Sequence, residues 1–456
     1  MKVNNESLAS MSGKAGKLKA GLCAARCSPL SARPAAIRFF AALLLAAQCA
    51  ACAGWPEFDA YHGTITREQF IARLRQVHDA AGAFDAYLVY GSNDVAVFST
   101  PARTGAPLLT LKFAAAPESA RPLPRTFKRA ADLARMPAPP NRPLAGIRIA
   151  LDPGHIGGEW ARMEERWFIV GRADRQVQEA VLARLVAMHL KKRLEAAGAE
   201  VVLTSDGFEP VTDFRPEDFR DQAEREIAAH PPRFAGCSPL EREAGLADAV
   251  RKRQELLFFR NAEIRARAEK VNMVLHPDLT LCIHFNAVEW GPDRRLAEEN
   301  RLLFFLHGQT MAGEMEDDAQ KRRLLFKLLE QSHPVEKAVA EAVADHMVEA
   351  TGLPPVEYWA APNVAPNPDH AYVFYRNLAA NRLFDGPVVY LEPYFQNSRD
   401  VYRRIQAGDY EGLRTVEGRL RKSIYREYAD SVADGVIEAY SAFRAGPAAG
   451  ANNHDI

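Results

Sequence analysis

The 456-residue chain lacks three features that would have assigned it to a broad class of protein. It has no excess of charge, because Lys+Arg and Asp+Glu are equal at 58 each and the pI is near 7.2. That balance gives no indication of a nucleic-acid-binding protein. It has no internal repeats, and its one prominent apolar run is too short to span a bilayer comfortably. The composition is ordinary for a globular protein, with 25% charged residues.

Cysteine is also sparse outside the N-terminal region. Four of the six cysteines lie within the first 54 residues, which leaves Cys237 and Cys282 for the rest of the chain. These two could form a disulfide after export, or Cys282 could be a buried thiol, and the sequence does not choose between these alternatives.

Residues 1–54 have the pattern of an export signal. A basic segment precedes the apolar run Phe39–Ala47, and small residues follow it. Cys52 follows Ala50-Ala51, which resembles the end of a bacterial lipoprotein signal, although Cys49 stands where Leu is usual. We therefore expect export to the periplasm or cell envelope, with a lipid anchor at Cys52. The alternative is cleavage after a small residue without a lipid.

The length of the chain after the signal predicts two domains. Residues 55–114 predict a small α/β module, with Thr66 as a helix N-cap and a hairpin turn at Gly91–Asp94. Residues 115–145 are rich in proline and predict a semi-rigid linker. A larger domain is expected over 146–445, and 446–456 is expected to be a flexible tail.

The larger domain alternates strand-like and helix-like segments. Strands are expected near 147–151, 200–204, 279–285, 301–306 and 387–391, and helices near 178–197, 255–272, 315–331, 335–350 and 417–443. This alternation predicts an α/β fold, a mostly parallel sheet flanked by helices, preceded by the small α/β module.

Several strand-like segments end on a residue that can bind a metal or carry a proton. The segment Leu151-Asp-Pro-Gly-His155 places a histidine on a tight turn, and the other two segments end at His284 and Glu392. Ligands bind beyond the carboxyl ends of strands in open α/β sheets, so these side chains are expected to meet. Two histidines and one carboxylate form a catalytic zinc set with an open position. Glu392 suits a general base that takes a proton from the attacking water.

The carboxylate ligand has more than one candidate. Glu179 opens the first long helix, where an acid also complements the helix dipole, and Glu164 and Glu165 lie in the preceding loop. Cys282 shares a strand face with His284 and is a conceivable fourth ligand, but a fourth protein ligand would close the site. Each of these residues also has an ordinary structural interpretation, as a solvated or packed side chain.

Together these segments resemble a known family. Asp152-Pro-Gly-His155, Glu179, Ile283-His284-Phe-Asn286 and Val388-Val-Tyr-Leu-Glu392-Pro-Tyr-Phe395 are similar to the motifs of the zinc-dependent N-acetylmuramoyl-L-alanine amidases. These are α/β cell-wall hydrolases that act on peptidoglycan. The resemblance covers roughly 147–440 and implies that His155, Glu179 and His284 bind Zn²⁺ and that Glu392 is catalytic.

The chain departs from the family pattern in several places. The loop between His155 and Glu179 is longer than usual, and residues 205–250 and 288–333 look like insertions. The family carries an arginine near Arg260, Arg265 and Arg267, most of which are expected on a solvated helix face.

Two other functions stay open at this point. The chain could be an inert or autoinhibited wall-binding or regulatory lipoprotein, with the 55–114 module contacting a protein partner and a helix within 311–333 acting as a lid. It could also be a zinc peptidase or amidase that acts on another substrate.

Overall fold

A computed structural model describes residues 54–358 and 361–446. The expected signal segment with Cys52, and nearly all of the expected tail, lie outside the described residues. The chain divides into two compact units. Among the described residues, the larger unit comprises 125–309 together with 330–358 and 361–446, and the smaller unit comprises 54–124 together with 310–329. No helix among the described residues combines the length and apolarity needed to cross a membrane.

The smaller unit contains the predicted three-stranded antiparallel sheet. Its strands, β1 (Leu88–Tyr90), β2 (Asp94–Val97) and β3 (Leu109–Lys112), pair in chain order. Helix α1 (Arg67–Arg73) begins after Thr66, whose hydroxyl accepts a hydrogen bond from the Gln69 N–H at 3.2 Å. The Gln69 side chain accepts one from the Thr66 N–H in return, which completes a capping box. The expected N-cap and hairpin are confirmed.

The segment 310–329 packs in the smaller unit, which corrects two expectations. We expected it within an insertion of the larger domain and considered it a lid. Instead its apolar side chains are buried with the aromatic residues of the smaller unit, the buried members being Met315, Leu324, Leu325, Leu328 and Leu329. Lys321 donates a hydrogen bond to the Ser99 carbonyl at 2.9 Å and lies over the Tyr87 ring at 4.3 Å. A three-stranded sheet and one short helix cannot cover their own apolar faces, so this second helix completes the core.

The expected linker 115–145 also differs from the structure. The boundary between the units falls at Pro124, and the residues after it belong to the larger unit. Leu133 and Leu144 are fully buried there, and Lys128 forms an ion pair with Asp278 at 2.8 Å. These buried leucines fix the second half of the segment onto the larger unit.

The larger unit is built on a seven-stranded sheet with the order β10-β11-β9-β12-β8-β4-β7. Its strands are β4 (Arg148–Pro153), β7 (Glu200–Leu203), β8 (Leu279–Ile283), β9 (Phe304–Leu306), β10 (Ala365–Asn367), β11 (His370–Tyr375) and β12 (Val388–Leu391). The four strands β12, β8, β4 and β7 run parallel, whereas β9 is antiparallel to β12. The prediction of a mostly parallel sheet in an α/β fold is confirmed. Two short hairpins lie outside this sheet: β5 (Trp167–Phe168) with β6 (Val177–Gln178), and β13 (Arg414–Val416) with β14 (Arg419–Arg421).

Helices pack on both faces of this sheet. The helices after α1 are α2 (Ala130–Leu133), α3 (Glu179–Ala196), α4 (Arg220–Ala229), α5 (Pro239–Leu256), α6 (Glu263–Lys270), α7 (Asp318–Glu330), α8 (His333–Thr351), α9 (Ala379–Leu383), α10 (Arg399–Ala407) and α11 (Ile424–Ala445). Of these, α7 belongs to the smaller unit up to Leu329. Helix α11 lies against α8 and α3. The approach to α8 is so close that a Cβ on Gly435 would lie 2.5 Å from the Cα of Val343.

Several predicted element boundaries were wrong. The expected insertion 205–250 contains α4 and the start of α5, and the C-terminal helix begins at Ile424 because the β13–β14 hairpin occupies the residues before it. Strands β10 and β11 were not predicted at all.

Candidate active site

The first site residue, His155, lies on a turn that the sequence builds tightly. After β4 the Gly154 N–H donates to the Ile283 carbonyl at 2.9 Å, which extends the pairing with β8 by one residue. His155 itself has a φ of +65°, in the left-handed region of backbone conformation that few residues other than glycine adopt. Arg267 holds that conformation, because its guanidinium donates to the His155 carbonyl at 2.8 Å. The turn places the His155 imidazole beyond the end of β4, beside Glu179.

The three predicted ligands meet beyond the sheet edge. His155 Nε2 lies 3.2 Å from Glu179 Oε1, and His284 Nδ1 lies 3.0 Å from the same oxygen. The two imidazole rings are edge to face, with centroids 5.1 Å apart. One candidate ligand atom from each residue lies within 4.8 Å of the others, so the group could hold a metal ion.

These separations suit a tetrahedral metal centre. Two ligand atoms that are each 2.0–2.1 Å from a zinc ion, at a tetrahedral angle, are about 3.3 Å apart. Both nitrogen-to-oxygen distances in this cluster are close to that value. Two imidazoles and one carboxylate also match the donor types of catalytic zinc sites with one open position. The residues present therefore fit a divalent metal such as zinc.

The Glu179 carboxylate is buried and held from several directions. Its Oε1 accepts from the Phe285 N–H at 3.3 Å, its Oε2 accepts from the Gln396 amide at 3.2 Å, and Arg166 Nε lies 3.6 Å from Oε2. Burial alone would raise the pKa of Glu179, but the two histidines outweigh it and hold that pKa well below its ordinary value. Burial disfavours a charged His155, yet the carboxylates of Glu179 and Glu164 raise its pKa to about 9.

Glu392 lies next to His284 on the neighbouring parallel strand. The last paired residues of β12 and β8 are Leu391 and Ile283, and the His284 N–H donates to the Leu391 carbonyl at 2.9 Å. Glu392 and His284 are the next residues of the two strands, which are about 4.8 Å apart in a sheet. Burial raises the pKa of Glu392, while the positive charges of His284, Arg376 and Arg166 act against this shift. The four predicted site residues are thus brought together, and their roles remain predictions.

The rival ligands lie elsewhere. Glu164 is buried on the far side of His155, 3.5 Å from Nδ1, and is not in the ligand group. Glu165 is exposed at the surface. Cys282 is buried among apolar side chains on the strand before His284, outside the ligand group, and within the described part of the chain no disulfide joins it to Cys237.

Sequence reasoning missed three residues that support the site. Arg267 is the buried member of the three arginines, and it forms ion pairs with Asp152 at 3.0 Å and Glu263 at 2.7 Å. These two acids outweigh the effect of burial and raise the pKa of Arg267. Gln396 and Arg166 contact Glu179, and no pattern in the sequence indicates these contacts. The spacing of Glu263 and Arg267 at i and i+4 was the one available signal. Arg260 and Arg265 are exposed, as expected.

Comparisons with known proteins gave matches among solved structures alone. No protein-family model matches the chain, and no curated protein matches it. An N-acetylmuramyl-L-alanine amidase from Mycobacterium abscessus is 14% identical, with a TM-score of 0.33, over 65% of this chain and 99% of its own. An N-acetylmuramoyl-L-alanine amidase from Nostoc punctiforme is 14% identical, with a TM-score of 0.32, over 64% and 97%. An amidase from Clostridioides difficile, in complex with a lipoprotein, is 12% identical, with a TM-score of 0.32, over 64% and 98%. The first two neighbours are named as N-acetylmuramoyl-L-alanine amidases and the third as an amidase.

Proposed function

We propose that this protein hydrolyses the amide bond between N-acetylmuramic acid and L-alanine in peptidoglycan, with zinc held by His155, Glu179 and His284. One observation carries the proposal. A single carboxylate oxygen of Glu179 lies 3.2 and 3.0 Å from one nitrogen of each histidine, and Glu392 stands beside them on the adjacent strand. The choice of substrate rests on the resemblance of the motifs around these residues to those of cell-wall amidases.

Two carboxylates of the chain, Glu392 and Glu179, have different roles in the proposed reaction. Zinc, when bound, lowers the pKa of water and polarises a carbonyl. Glu392 takes a proton from the water whose oxygen attacks the lactyl carbonyl carbon, and it gives that proton to the alanine nitrogen as the C–N bond breaks. A raised pKa suits a group that must both accept and donate a proton. Glu179 has a lowered pKa and stays ionised, which suits a ligand and not an acid.

Digestion of purified peptidoglycan sacculi tests the substrate. The expected products, identified by mass spectrometry, are glycan strands with a free lactyl carboxyl group and peptides that begin with a free L-alanine amine. New termini at any other bond would refute the proposed specificity and favour a zinc peptidase or another amidase.

Substitutions test the separate roles of the site residues. We expect Glu392→Gln to keep bound zinc and to slow hydrolysis by about 10²–10⁴-fold, since it removes general acid–base catalysis. We expect His284→Ala to lose both zinc and activity. Glu411→Gln, which neutralises a carboxylate that is 88% exposed, is the matched control. A Glu392→Gln variant that digests sacculi at the normal rate would contradict the mechanism.

We also propose that the protein is exported and anchored by a lipid at Cys52. The basic segment, the apolar run and the small residues before Cys52 support this proposal. Labelled palmitate should enter the wild-type protein and not a Cys52→Ala variant. Label that persists in the variant, or that never enters the wild type, would contradict the anchor.

A further inference from the structure

The loop between His155 and Glu179 carries a second carboxylate that the proposed mechanism does not use. Glu164 is 4% exposed and lies against the backbone that follows His155. Its Oε1 accepts from the Ile156 N–H at 3.0 Å, and its Oε2 accepts from the Gly157 N–H at 3.0 Å. The same Oε1 lies 3.5 Å from His155 Nδ1. The imidazole therefore stands between two carboxylates, with Glu164 at one ring nitrogen and Glu179 at the other.

We propose that Glu164 is the positioning residue of His155, and that it accepts the Nδ1–H so that the Nε2 lone pair faces the metal. This inference rests on the metal dependence of the proposed function. A neutral imidazole carries its proton on one nitrogen, and a metal needs the other nitrogen free. An ionised carboxylate can only accept, so its place beside Nδ1 selects that tautomer. A carboxylate behind a ligating histidine also fixes the ring and raises its basicity as a ligand.

The backbone holds Glu164 in that place. Because His155 adopts a left-handed conformation, the next two N–H groups turn toward one point, and such a concavity binds an anion. The Glu164 N–H donates to the Trp160 carbonyl at 3.0 Å, which closes a short helical turn beneath the carboxylate. The carboxylate thus fills a site that the turn itself creates.

The remainder of the loop is anchored to a different element. Phe168 packs edge to face on Trp290 with centroids 5.1 Å apart, and it stacks on Tyr402 of α10 at 5.9 Å. The Tyr402 hydroxyl donates to Asp174 at 2.7 Å. The unusually long loop is therefore fixed at its far end, so it can hold Glu164 rigidly against His155.

A conservative substitution tests the proposal. Glu164→Gln has nearly the same shape but is neutral and presents one acceptor oxygen and one NH₂ group, so it cannot accept from the Ile156 N–H, the Gly157 N–H and the His155 Nδ1–H together. We expect the dissociation constant for Zn²⁺, measured by competition with a chromophoric chelator, to rise about 10–100-fold. We also expect the visible spectrum of the Co²⁺-loaded protein to change, since that spectrum reports ligand geometry. Glu165→Gln, the exposed neighbour in the same loop, should leave both measurements unchanged.

A merely structural role for Glu164 gives a different result. In that case Glu164→Gln would lower the melting temperature of the protein and leave the zinc dissociation constant within twofold of wild type, which would overturn the proposal. If the Glu164→Gln variant fails to fold, a ¹⁵N NMR measurement on the wild-type protein tests the proposal instead. In the ¹⁵N spectrum of the zinc-loaded protein, with His155 assigned by its loss in His155→Ala, we expect a proton on Nδ1. A metal-bound or unprotonated Nδ1 would overturn the inference.

These outcomes are separate from those of the proposed function. Zinc binding and the Nδ1 proton are measured without substrate. Wild-type protein that binds zinc through a positioned His155 but leaves sacculi intact would refute the amidase and keep the positioning role. If wild-type protein cleaves sacculi and the Glu164→Gln variant keeps the wild-type zinc affinity, the amidase activity is supported and the positioning role of Glu164 is refuted.

Discussion

The contact between Gly154 and His284 allows a prediction worked from distances. Gly154 lies at the end of β4, and a Cβ added to it would lie 2.2 Å from Cε1 and 2.4 Å from Nδ1 of His284. Ordinary contacts begin near 3.4 Å, so Gly154→Ala must displace the imidazole by about 1.2 Å. The ring has little room to move, because Tyr390 stacks on it with centroids 4.4 Å apart and Glu179 lies 3.0 Å from Nδ1.

We expect Gly154→Ala to damage metal binding more than stability. Metal-ligand distances tolerate changes of about 0.2 Å, so a ligand displaced by more than 1 Å is lost from the site and the zinc affinity should fall by at least about 100-fold. Overpacking of this kind costs about 1–3 kcal/mol in the free energy of unfolding. Chelator competition and urea unfolding measure the two effects. The control is Gly291→Ala, in the chain after His284, because an added Cβ there meets no atom within 4 Å.

A double-mutant cycle provides the result that would refute this reasoning. In a His284→Ala background the imidazole is gone, so adding Gly154→Ala should cost almost no further stability. If Gly154→Ala costs the same free energy with and without the His284 ring, then the ring is not the reason for a glycine at that position.

Three further predictions concern stability. Leu325→Ala should destabilise the smaller unit by about 2–5 kcal/mol in urea unfolding, whereas Leu420→Ala, on a residue that is 65% exposed, should change stability little. Arg267→Met should cost about 3–5 kcal/mol, because it leaves the buried Asp152 and Glu263 charges uncompensated, while Arg265→Met on the exposed side of α6 should not. In protein stripped of metal by a chelator, the pKa of His155 is raised from 6.5 to about 9. The interactions of the charged imidazole therefore stabilise the protein fully below pH 6.5, and that stabilisation is lost as the pH rises through 9. Unfolding at pH 6 and pH 10 should show this loss in the wild type, and a His155→Ala variant with the same loss would contradict the assignment.

The positions of His155, His284 and Glu392 could be read from the sequence because each follows the end of a strand. An apolar run that stops at a histidine or a glutamate predicts both the strand and the place of the side chain at its carboxyl end. The residues alone left the choice between Glu179 and Glu164 open, and the resemblance favoured Glu179 because the family glutamate opens a helix; the structure places Glu179 in the ligand group. Local sequence was sufficient here because each residue is positioned by its own strand or helix.

The packing of the helix at 318–330 could not be predicted in the same way. Its leucines repeat at helical spacing and so identify a buried face, but periodicity does not say which core buries it. The chain leaves the larger unit, completes the hydrophobic core of the smaller unit with Leu324, Leu325 and Leu328, and then returns. The position of this helix in the chain suggested an insertion of the larger domain. It packs in the smaller unit because the sheet and short helix of that unit leave apolar side chains uncovered.

The placement of Glu392 beside the ligand group follows from the sheet itself. His284 and Glu392 are the first residues beyond the last paired residues of two parallel strands, so their backbones are held one strand spacing apart. Glu179 comes from a helix whose N-terminus approaches the same edge, and Glu164 comes from the loop before it. The two histidines are therefore flanked by one acid from a neighbouring strand, one from a helix and one from a loop. Glu179 accepts from the Phe285 N–H and the Gln396 amide, whereas Glu164 accepts from the Ile156 and Gly157 N–H groups. In the proposed mechanism, these different partners separate the acid that binds the metal from the acid that orients the ring.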